Sequence, residues 1–159
     1  MKCSINEMSR NFAVCVSKWA YEEPYDIYSG DGEDVEEFLN GSYYSALDHM
    51  EKFIGFYCFG SAAQVPAGNE FKVYEDNKFV DIGLGMSPEL CGQGNGYDFF
   101  MQGLEFGKNK FPDKKFRLTV ASFNKRAIRL YEKIGFKEMT KFDREKKDNT
   151  VTFIVMELQ

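Results

Sequence analysis

The hydrophobic residues change their spacing along the chain, and each spacing predicts a different element. The first apolar residues recur at helical intervals: Met8, Phe12, Cys15, Val16 and Trp19. This spacing predicts an N-terminal helix, and a second short helix is expected over residues 34–39, ended by Gly41. Two apolar and aromatic runs, 43–47 and 52–59, are joined by a short polar stretch. Together they predict a β-hairpin.

The second half of the chain alternates between strand and helix patterns. Residues 79–86 predict a strand with an apolar face (Val80, Ile82, Leu84, Met86) and a second face of small and acidic residues (Asp81, Gly83, Gly85). Glycines on one face leave that backbone open to close approach by a ligand. Helical spacing follows over about 97–108 and again after Asn124, where Gly135 is placed to end the helix. Further strands are expected over 116–121, 137–143 and 150–158.

The predicted order of elements is strands, helix, strand, helix and two closing strands. Such an order is typical of an α/β fold with a mixed sheet and helices packed on its faces. The chain has 159 residues and shows no internal repeat, low-complexity tract or linker. We therefore expect residues 1–159 to form a single domain with one sizeable core.

The composition is that of a globular protein, with 43% hydrophobic and 28% charged residues. The four cysteines are scattered without a CxxC spacing, which indicates reduced thiols in a reducing compartment. No apolar run has the length of a signal peptide core or a membrane span. We expect a soluble, cytoplasmic protein that does not bind membranes. His49, the one histidine, has no Cys or His cluster near it, so no metal site is expected.

The charges are separated along the chain. A net charge of −5 argues against general nucleic-acid binding, which needs a basic surface. Residues 22–37 contain eight acids and no base, whereas 108–147 contain fourteen Lys or Arg and five acids. One region suits a cation and the other an anion; both can equally be solvated faces.

A glycine-rich turn at residues 91–96, Cys-Gly-Gln-Gly-Asn-Gly, lies between a predicted strand and a predicted helix. Glycines let successive backbone N–H groups converge, and a helix N-terminus adds the positive end of its dipole, so such a turn can bind a pyrophosphate. A Walker loop is excluded because no Gly-Lys followed by Ser or Thr is present. A turn without a ligand remains the alternative.

Two blocks of this sequence together resemble the GNAT superfamily of N-acetyltransferases. The first is Asp81 to Gly96, and the second runs from Asn124 through Ala127, Leu130 and Tyr131 to Phe136. The resemblance implies a GNAT-like acyl-CoA N-acyltransferase fold, with a central, mostly antiparallel sheet whose Phe79 and Phe116 strands splay apart around acetyl-CoA. It also implies direct transfer of the acetyl group to a primary amine of a small molecule or peptide.

The resemblance also implies which residues contact the coenzyme. Backbone groups near Leu84 and Met86 would pair with the pantetheine arm, and the turn would bind the pyrophosphate. The implied contacts are Leu84, Met86, Cys91, Gly92, Gln93, Gly94, Asn95, Gly96, Asn124, Ala127 and Tyr131. Asn124 can instead be an ordinary helix N-cap. Lys125, Arg126 and Arg129 could meet the adenosine phosphates or form a solvated helix face.

The chain departs from the family pattern R/Q-x-x-G-x-G/A at its first position, where it has Cys91. The change removes one side chain contact and leaves the backbone donors in place. A redox-sensitive thiol near the ligand is the alternative to simple replacement.

Two residues are expected to act in catalysis. Tyr131 is the implied general acid, because a phenol with a pKa near 10 is protonated at neutral pH and can donate to the departing thiolate; plain core packing is its alternative. Asp81 is a candidate base for the ammonium acceptor if burial raises its pKa, and structural hydrogen bonding is its alternative. A water chain is the other route for the proton.

The identity of the acceptor amine is the property that the sequence constrains least. The acids Glu22, Glu23 and Asp26 suggest a cationic amine, or they face solvent. A catalytically inactive module that binds or senses acetyl-CoA is the alternative function, and a structural interaction protein is a third. Edge strands near the C-terminus suggest a possible homodimer.

Overall fold

A computed structural model of the chain describes residues 2–29 and 35–159, which form a seven-stranded sheet with three α-helices. The strands are β1 Ser4–Glu7, β2 Tyr43–Leu47, β3 Phe53–Phe59, β4 Phe79–Met86, β5 Lys115–Ala121, β6 Phe136–Lys146 and β7 Asn149–Leu158. The helices are α1 Arg10–Ser17, α2 Gly96–Lys110 and α3 Lys125–Ile134. Across the sheet the strands lie in the order β1-β2-β3-β4-β5-β7-β6. The predicted mixed α/β fold is confirmed.

Among the strands that the structure describes, only the central pair, β4 and β5, is parallel, and it is paired for a short distance. Phe79, Val80 and Asp81 lie opposite Lys115, Phe116 and Arg117. Beyond this register β4 stays on β3 and β5 stays on β7, so the two strands diverge. The other strand pairs are antiparallel. The mostly antiparallel sheet with splayed central strands is therefore confirmed.

The two faces of the sheet carry different coverings. On one face α2 and α3 pack on a large aromatic core, in which Tyr57 stacks on Phe99 at a centroid distance of 4.7 Å. The Tyr57 hydroxyl donates to the carbonyl of Phe99 over 2.6 Å. On the other face α1 and 3-10 turns pack on a second core around Phe142 and Phe153 and on the aromatic residues of β3. The glycine turn at residues 91–96 precedes α2, which packs on the first face, and residues 25–28 pack on the second face through Ile27.

Most predicted elements lie within a few residues of their observed positions, and the exceptions have local causes. Strand β1 is not expected from the sequence, because its residues Ser-Ile-Asn-Glu include one apolar residue. It is extended because it pairs with β2. The helix expected over 34–39 is only a 3-10 turn at Glu37–Leu39, and residue 34 lies outside the described residues. The last two strands extend beyond their predicted ends because β6 and β7 pair over their whole length.

A buried ion pair lies at the last paired position before the strands separate. Asp81 and Arg117 are each 1% exposed and are register partners. The Arg117 Nη2 donates to Asp81 Oδ1 over 2.7 Å, and its Nε donates to Oδ2 over 3.0 Å. Gln64 Nε2 also donates to Asp81 Oδ1, over 3.0 Å. This network ties β4 to β5 at the point where the cleft begins.

Substitution Asp81→Asn is expected to destabilise the protein by about 3–5 kcal/mol, because it leaves the Arg117 guanidinium buried without a counter-charge. Urea unfolding of wild type and variant measures the change. The matched control is Lys52→Gln, which breaks the exposed Lys52–Glu89 pair of 2.7 Å and should cost about 0–1 kcal/mol. Equal losses in the two variants would show that the buried pair has no special role.

Candidate active site

The backbone of β4 directs alternate polar groups into the cleft. The Ser87 N–H donates to the Ile54 carbonyl over 2.9 Å, so this residue faces β3. In an antiparallel ladder the residues between such hydrogen-bonded pairs point their N–H and C=O groups the other way. Leu84 and Met86 therefore present backbone groups to the side on which β5 has diverged. The side chains of both residues pack against the large core.

The glycine-rich turn leads directly into α2. Gly92 and Gly94 adopt left-handed backbone angles, with φ of +75° and +81°. Helix α2 begins at Gly96, and the Asn95 side chain makes no capping hydrogen bond. The Gln93 side chain instead binds the turn itself, because its Nε2 donates to the Glu89 carbonyl over 2.6 Å. The turn thus combines the conformation and the helix end that a bound pyrophosphate requires.

Cys91 lies at the start of this turn, half-buried against backbone oxygens. Its Sγ is 3.6 Å from the Ser87 carbonyl and 3.7 Å from the Met86 carbonyl. Burial raises the pKa of the Cys91 thiol, and the charge of Arg126 offsets this only in part. A thiol that stays protonated is a poor nucleophile. The geometry favours simple replacement over a redox-sensitive cysteine.

Arg126 of α3 approaches the turn across a cavity of about 530 Å³. A Cβ added at Gly92 would lie 3.3 Å from the Arg126 Nη1, and the Arg126 guanidinium carbon lies 5.1 Å from the centroid of the Tyr25 ring. The cavity is lined by Ala20, Tyr21, Glu22, Tyr25, Pro88, Glu89, Cys91 and Arg126. The cavity therefore joins the glycine turn, the start of α3 and the N-terminal segment.

Two tyrosines, Tyr21 and Tyr28, contact the end of β4 and the residue that caps α3 after β5. The sequence patterns alone do not predict these contacts. The Tyr21 hydroxyl donates to the Met86 carbonyl on β4 over 2.7 Å. The Tyr28 hydroxyl accepts from the Asn124 Nδ2 over 3.5 Å, just beyond the end of β5. We name residues 21–28 the bridging segment. Its one sequence signal is three tyrosines within eight acid-rich residues.

Tyr131 lies where α3 meets the large core, with its ring 5.1 Å from Phe100 and 6.2 Å from Phe136 between centroids. Burial raises the pKa of the Tyr131 phenol, and the nearby Tyr28 hydroxyl adds to the rise. Tyr131 is therefore protonated at neutral pH, as a general acid must be.

Asn124 acts as the N-cap of α3, since its Oδ1 accepts from the Ala127 N–H over 3.2 Å. Its Nδ2 donates to Tyr28, so one amide joins the helix start to the bridging segment. Gly135 ends the helix with φ of +122°, as expected. The N-cap alternative is confirmed, and a coenzyme contact through the same residue stays a prediction.

The structure bears on two expectations for β4. Asp81 has both carboxylate oxygens bound to Arg117, which supports the structural alternative and disfavours a base that takes a proton from substrate. The face of Gly83 and Gly85 is not open to a ligand. A Cβ at Gly85 would lie 2.3 Å from the Phe56 ring, and one at Gly83 would lie 2.8 Å from the Cys58 Sγ. Protein side chains occupy the space that these glycines leave.

The acids expected to bind the acceptor are on the surface. Glu22, Glu23 and Asp26 are all exposed, and Glu22 contributes to the 530 Å³ cavity. Within residues 2–29 and 35–159, no three His, Cys, Asp or Glu side chains are grouped as a metal site. None of the helices that the structure describes is long and apolar enough to span a bilayer.

The fold resembles that of many solved structures. A candidate phosphinothricin N-acetyltransferase aligns with a TM-score of 0.73 at 17% identity, covering 99% of this chain and 98% of that chain. A chimera of the spermidine N-acetyltransferase SpeG from Vibrio cholerae and hSSAT aligns with a TM-score of 0.69 at 17% identity, with 99% and 95% covered. A GNAT-family acetyltransferase from Bacillus anthracis gives 0.69 at 13% identity, with 99% and 96% covered. At these identities the likeness shows the fold.

Among curated protein sequences, none matches the chain significantly. A family model does match, that of the acetyltransferase (GNAT) family, and it covers residues 9–136. This range contains most of the chain, including the splayed strands, the glycine turn and Tyr131. The chain therefore belongs to the GNAT family of acetyltransferases.

Proposed function

We propose that this chain is a single-domain enzyme that transfers the acetyl group of acetyl-CoA directly to a primary amine. The supporting observation is the divergence of β4 from β5 after Asp81, with the glycine turn following β4 and the helix that carries Tyr131 following β5. A thioester held along β4 would lie between these two groups. An amine arriving from the bridging segment would meet it there.

The coenzyme would be held mainly by backbone donors. Each N–H of the turn 92–96 that binds a charged phosphate is worth about 1.5–3 kcal/mol, compared with about 0.2–1 kcal/mol for an exposed ion pair. Arg126 would reach the phosphates from α3, with Lys125 and Arg129 acting over a longer range. The pantetheine arm would pair with Leu84 and the N–H of Met86, since the Met86 carbonyl already accepts from Tyr21.

The reaction needs three proton movements, because an ammonium acceptor must first lose a proton to water before its nitrogen has a lone pair. The amine nitrogen attacks the thioester carbonyl carbon with its lone pair, a C–N bond forms, and the C–S bond then breaks. The Tyr131 hydroxyl gives its proton to the departing sulfur, and the nitrogen loses a proton to water. Asp81 does not take this proton, because Arg117 occupies its carboxylate. The products are an N-acetylated amine and free CoA thiol, and water returns a proton to Tyr131.

Two surface features bear on the acceptor and on the assembly state. The exposed acids Glu22, Glu23 and Asp26 lie on or near the bridging segment and would attract a cationic amine to the cleft. Strand β6 ends the sheet and has eleven residues, so its outer edge is a candidate dimer interface.

Tyr131→Phe should lower kcat by about 100-fold or more, the usual contribution of a general acid, while the Kd for acetyl-CoA stays unchanged. Thiol release in steady state and calorimetric titration with acetyl-CoA measure the two quantities. The control is Tyr44→Phe, a buried tyrosine on β2, which should leave both values unaltered. Equal kcat in wild type and Tyr131→Phe would exclude the acid role. Coenzyme binding without thiol release for any amine would instead indicate an inactive sensing module.

The pH dependence of kcat follows from the raised pKa of Tyr131. A higher pKa keeps the phenol protonated to higher pH, so loss of the acid should begin above the ordinary phenol value near 10. We therefore expect kcat to show no decline between about pH 7 and 9.5, while kcat/KM for the amine rises as the free base accumulates. A fall in kcat within this range in wild type, absent in Tyr131→Phe, would contradict the raised pKa.

The variant Gly94→Ala tests whether the glycine turn binds the coenzyme phosphates. Its φ of +81° costs an alanine about 1–2 kcal/mol, and relief of this strain would move the N–H groups that converge on the phosphate. We expect the calorimetric Kd for CoA to weaken about tenfold or more, since tenfold corresponds to about 1.4 kcal/mol. Gly41→Ala is the control, because Gly41 has φ of +92° and equally open surroundings but lies far along the chain from the turn. Identical CoA affinities in the two variants would refute phosphate binding at this turn.

A further inference from the structure

Arg126 is an exposed arginine of α3 whose side chain lies beside the glycine turn. A Cβ added at Gly92 would be 3.3 Å from the Arg126 Nη1, so the guanidinium borders the backbone that would bind a diphosphate. Long exposed side chains sample many rotamers, and fixing one of them costs conformational entropy. An arginine that is already held in place loses less of this freedom when a ligand binds. Whatever holds Arg126 at the turn therefore contributes to coenzyme affinity.

The aromatic ring of Tyr25 holds Arg126 at this position. The guanidinium carbon lies 5.1 Å from the centroid of the Tyr25 ring, within the range of a cation–π contact. Such a contact attracts the charge to the ring without a hydrogen-bond acceptor, so the five N–H donors of the guanidinium stay available. Tyr25 can therefore fix the position of Arg126 without occupying the donors that an anion needs.

A carboxylate partner would have the opposite effect on Arg126. In the buried ion pair between β4 and β5, the aspartate takes several donors of its arginine. Two acids line the same cavity as Arg126, Glu22 and Glu89. In the part of the chain that the structure describes, Arg126 is ion-paired with neither, and the Glu89 Oε1 lies 2.7 Å from the Lys52 Nζ instead. The Arg126 guanidinium is thus held by a ring and left free to bind an anion.

Tyr25 is itself fixed by its neighbours. Its backbone N–H donates to the Glu22 carbonyl over 2.7 Å, and its half-buried ring lies 6.0 Å from Phe123 between centroids. The bridging segment is also hydrogen-bonded near both of its ends, to the end of β4 and to the N-cap of α3. The ring therefore belongs to a segment that the sheet and α3 hold in place, and its position is set before a ligand arrives.

We propose that Tyr25 is a positioning residue for the coenzyme, whose ring holds Arg126 over the glycine turn with the guanidinium donors directed to the diphosphate. This inference rests on the proposed binding of acetyl-CoA and adds a residue to that site. It gives the acid-rich bridging segment a second task, because the segment would complete the phosphate site as well as border the path of the acceptor.

The experiment is a double-mutant cycle on coenzyme binding. Calorimetric titration with CoA gives Kd for wild type, Tyr25→Leu, Tyr25→Phe, Arg126→Met and the double variant Tyr25→Leu/Arg126→Met. Phe71→Leu is the matched control, because Phe71 is an exposed aromatic residue of another 3-10 turn and its ring lies 6.1 Å from Phe142. Urea unfolding shows that each variant is folded, and Tyr25→Met replaces Tyr25→Leu should the latter not fold.

We expect Tyr25→Leu to weaken CoA binding about three- to fivefold, the effect of one exposed cation–π contact. Arg126→Met should weaken it about tenfold or more, since it also removes the donors to phosphate. The double variant should be no weaker than Arg126→Met, because the ring has nothing left to position. Tyr25→Phe keeps the ring and should bind as wild type does, as should Phe71→Leu.

A second ligand identifies the phosphate group that Arg126 meets. Dephospho-CoA lacks the 3′-phosphate and retains the diphosphate, so the loss in Tyr25→Leu should be as large with this ligand as with CoA. In steady state the same variant should raise KM for acetyl-CoA and leave kcat unchanged, because the ring does not contact the reacting atoms.

Three results would overturn the inference: equal CoA affinity in wild type and Tyr25→Leu, an equal loss from Tyr25→Leu with and without Arg126, or a loss confined to CoA and absent with dephospho-CoA. The expected pattern of Kd values without thiol release for any amine would refute the proposed acetyl transfer and leave the role of Tyr25 standing. Absence of CoA binding in folded wild type would refute both.

Discussion

The bidentate contact between Asp81 and Arg117 is the constraint on which the rest of the structure depends. It joins the one parallel strand pair of the described sheet at its last paired position. A buried ion pair needs good geometry and further hydrogen bonds to offset the loss of hydration. Gln64 supplies such a bond to Asp81, and the carbonyls of Tyr74 and Asp76 accept from Arg117. The pairing from Phe79 to Asp81 and this network hold the two strands together, so β4 and β5 can separate beyond Asp81 without loss of register.

The separation leaves β4 and β5 unpaired with each other beyond Asp81, and each face of the sheet contributes different residues around their ends. The α2 and α3 face contributes the glycine turn and Tyr131. The other face contributes the bridging segment, whose Tyr21 and Tyr28 hydroxyls reach the Met86 carbonyl and Asn124. Unpaired strand ends normally leave polar backbone groups without partners. The tyrosines satisfy some of these groups and place aromatic rings where an acceptor would enter.

The sequence predicted those parts of the protein that local patterns determine. The strand 79–86, the turn 91–96 and the helix that Asn124 caps all carry strong local signals, in alternation, glycine content and capping. It did not predict β1, which is ordered by its neighbour, or the roles of Tyr21 and Tyr28, which contact residues more than sixty positions away. The partner of Asp81 was equally hidden, since Arg117 is 36 residues distant. The glycines of β4 were misread because the side chains that fill their space, Phe56 at Gly85 and Cys58 at Gly83, come from another strand. Long-range contacts therefore account for what the sequence left undetermined.

The short register of β4 and β5 has a mechanical consequence. The sheet consists of one block of four strands and one block of three, and three paired positions with one ion pair join them along the sheet. A molecule bound between the two blocks of strands would hold them together, because it would contact both blocks away from the paired residues of β4 and β5. Such a ligand stabilises the native state by an amount that grows with the logarithm of its concentration. The coenzyme would thus stabilise the folded protein as well as supply its acetyl group.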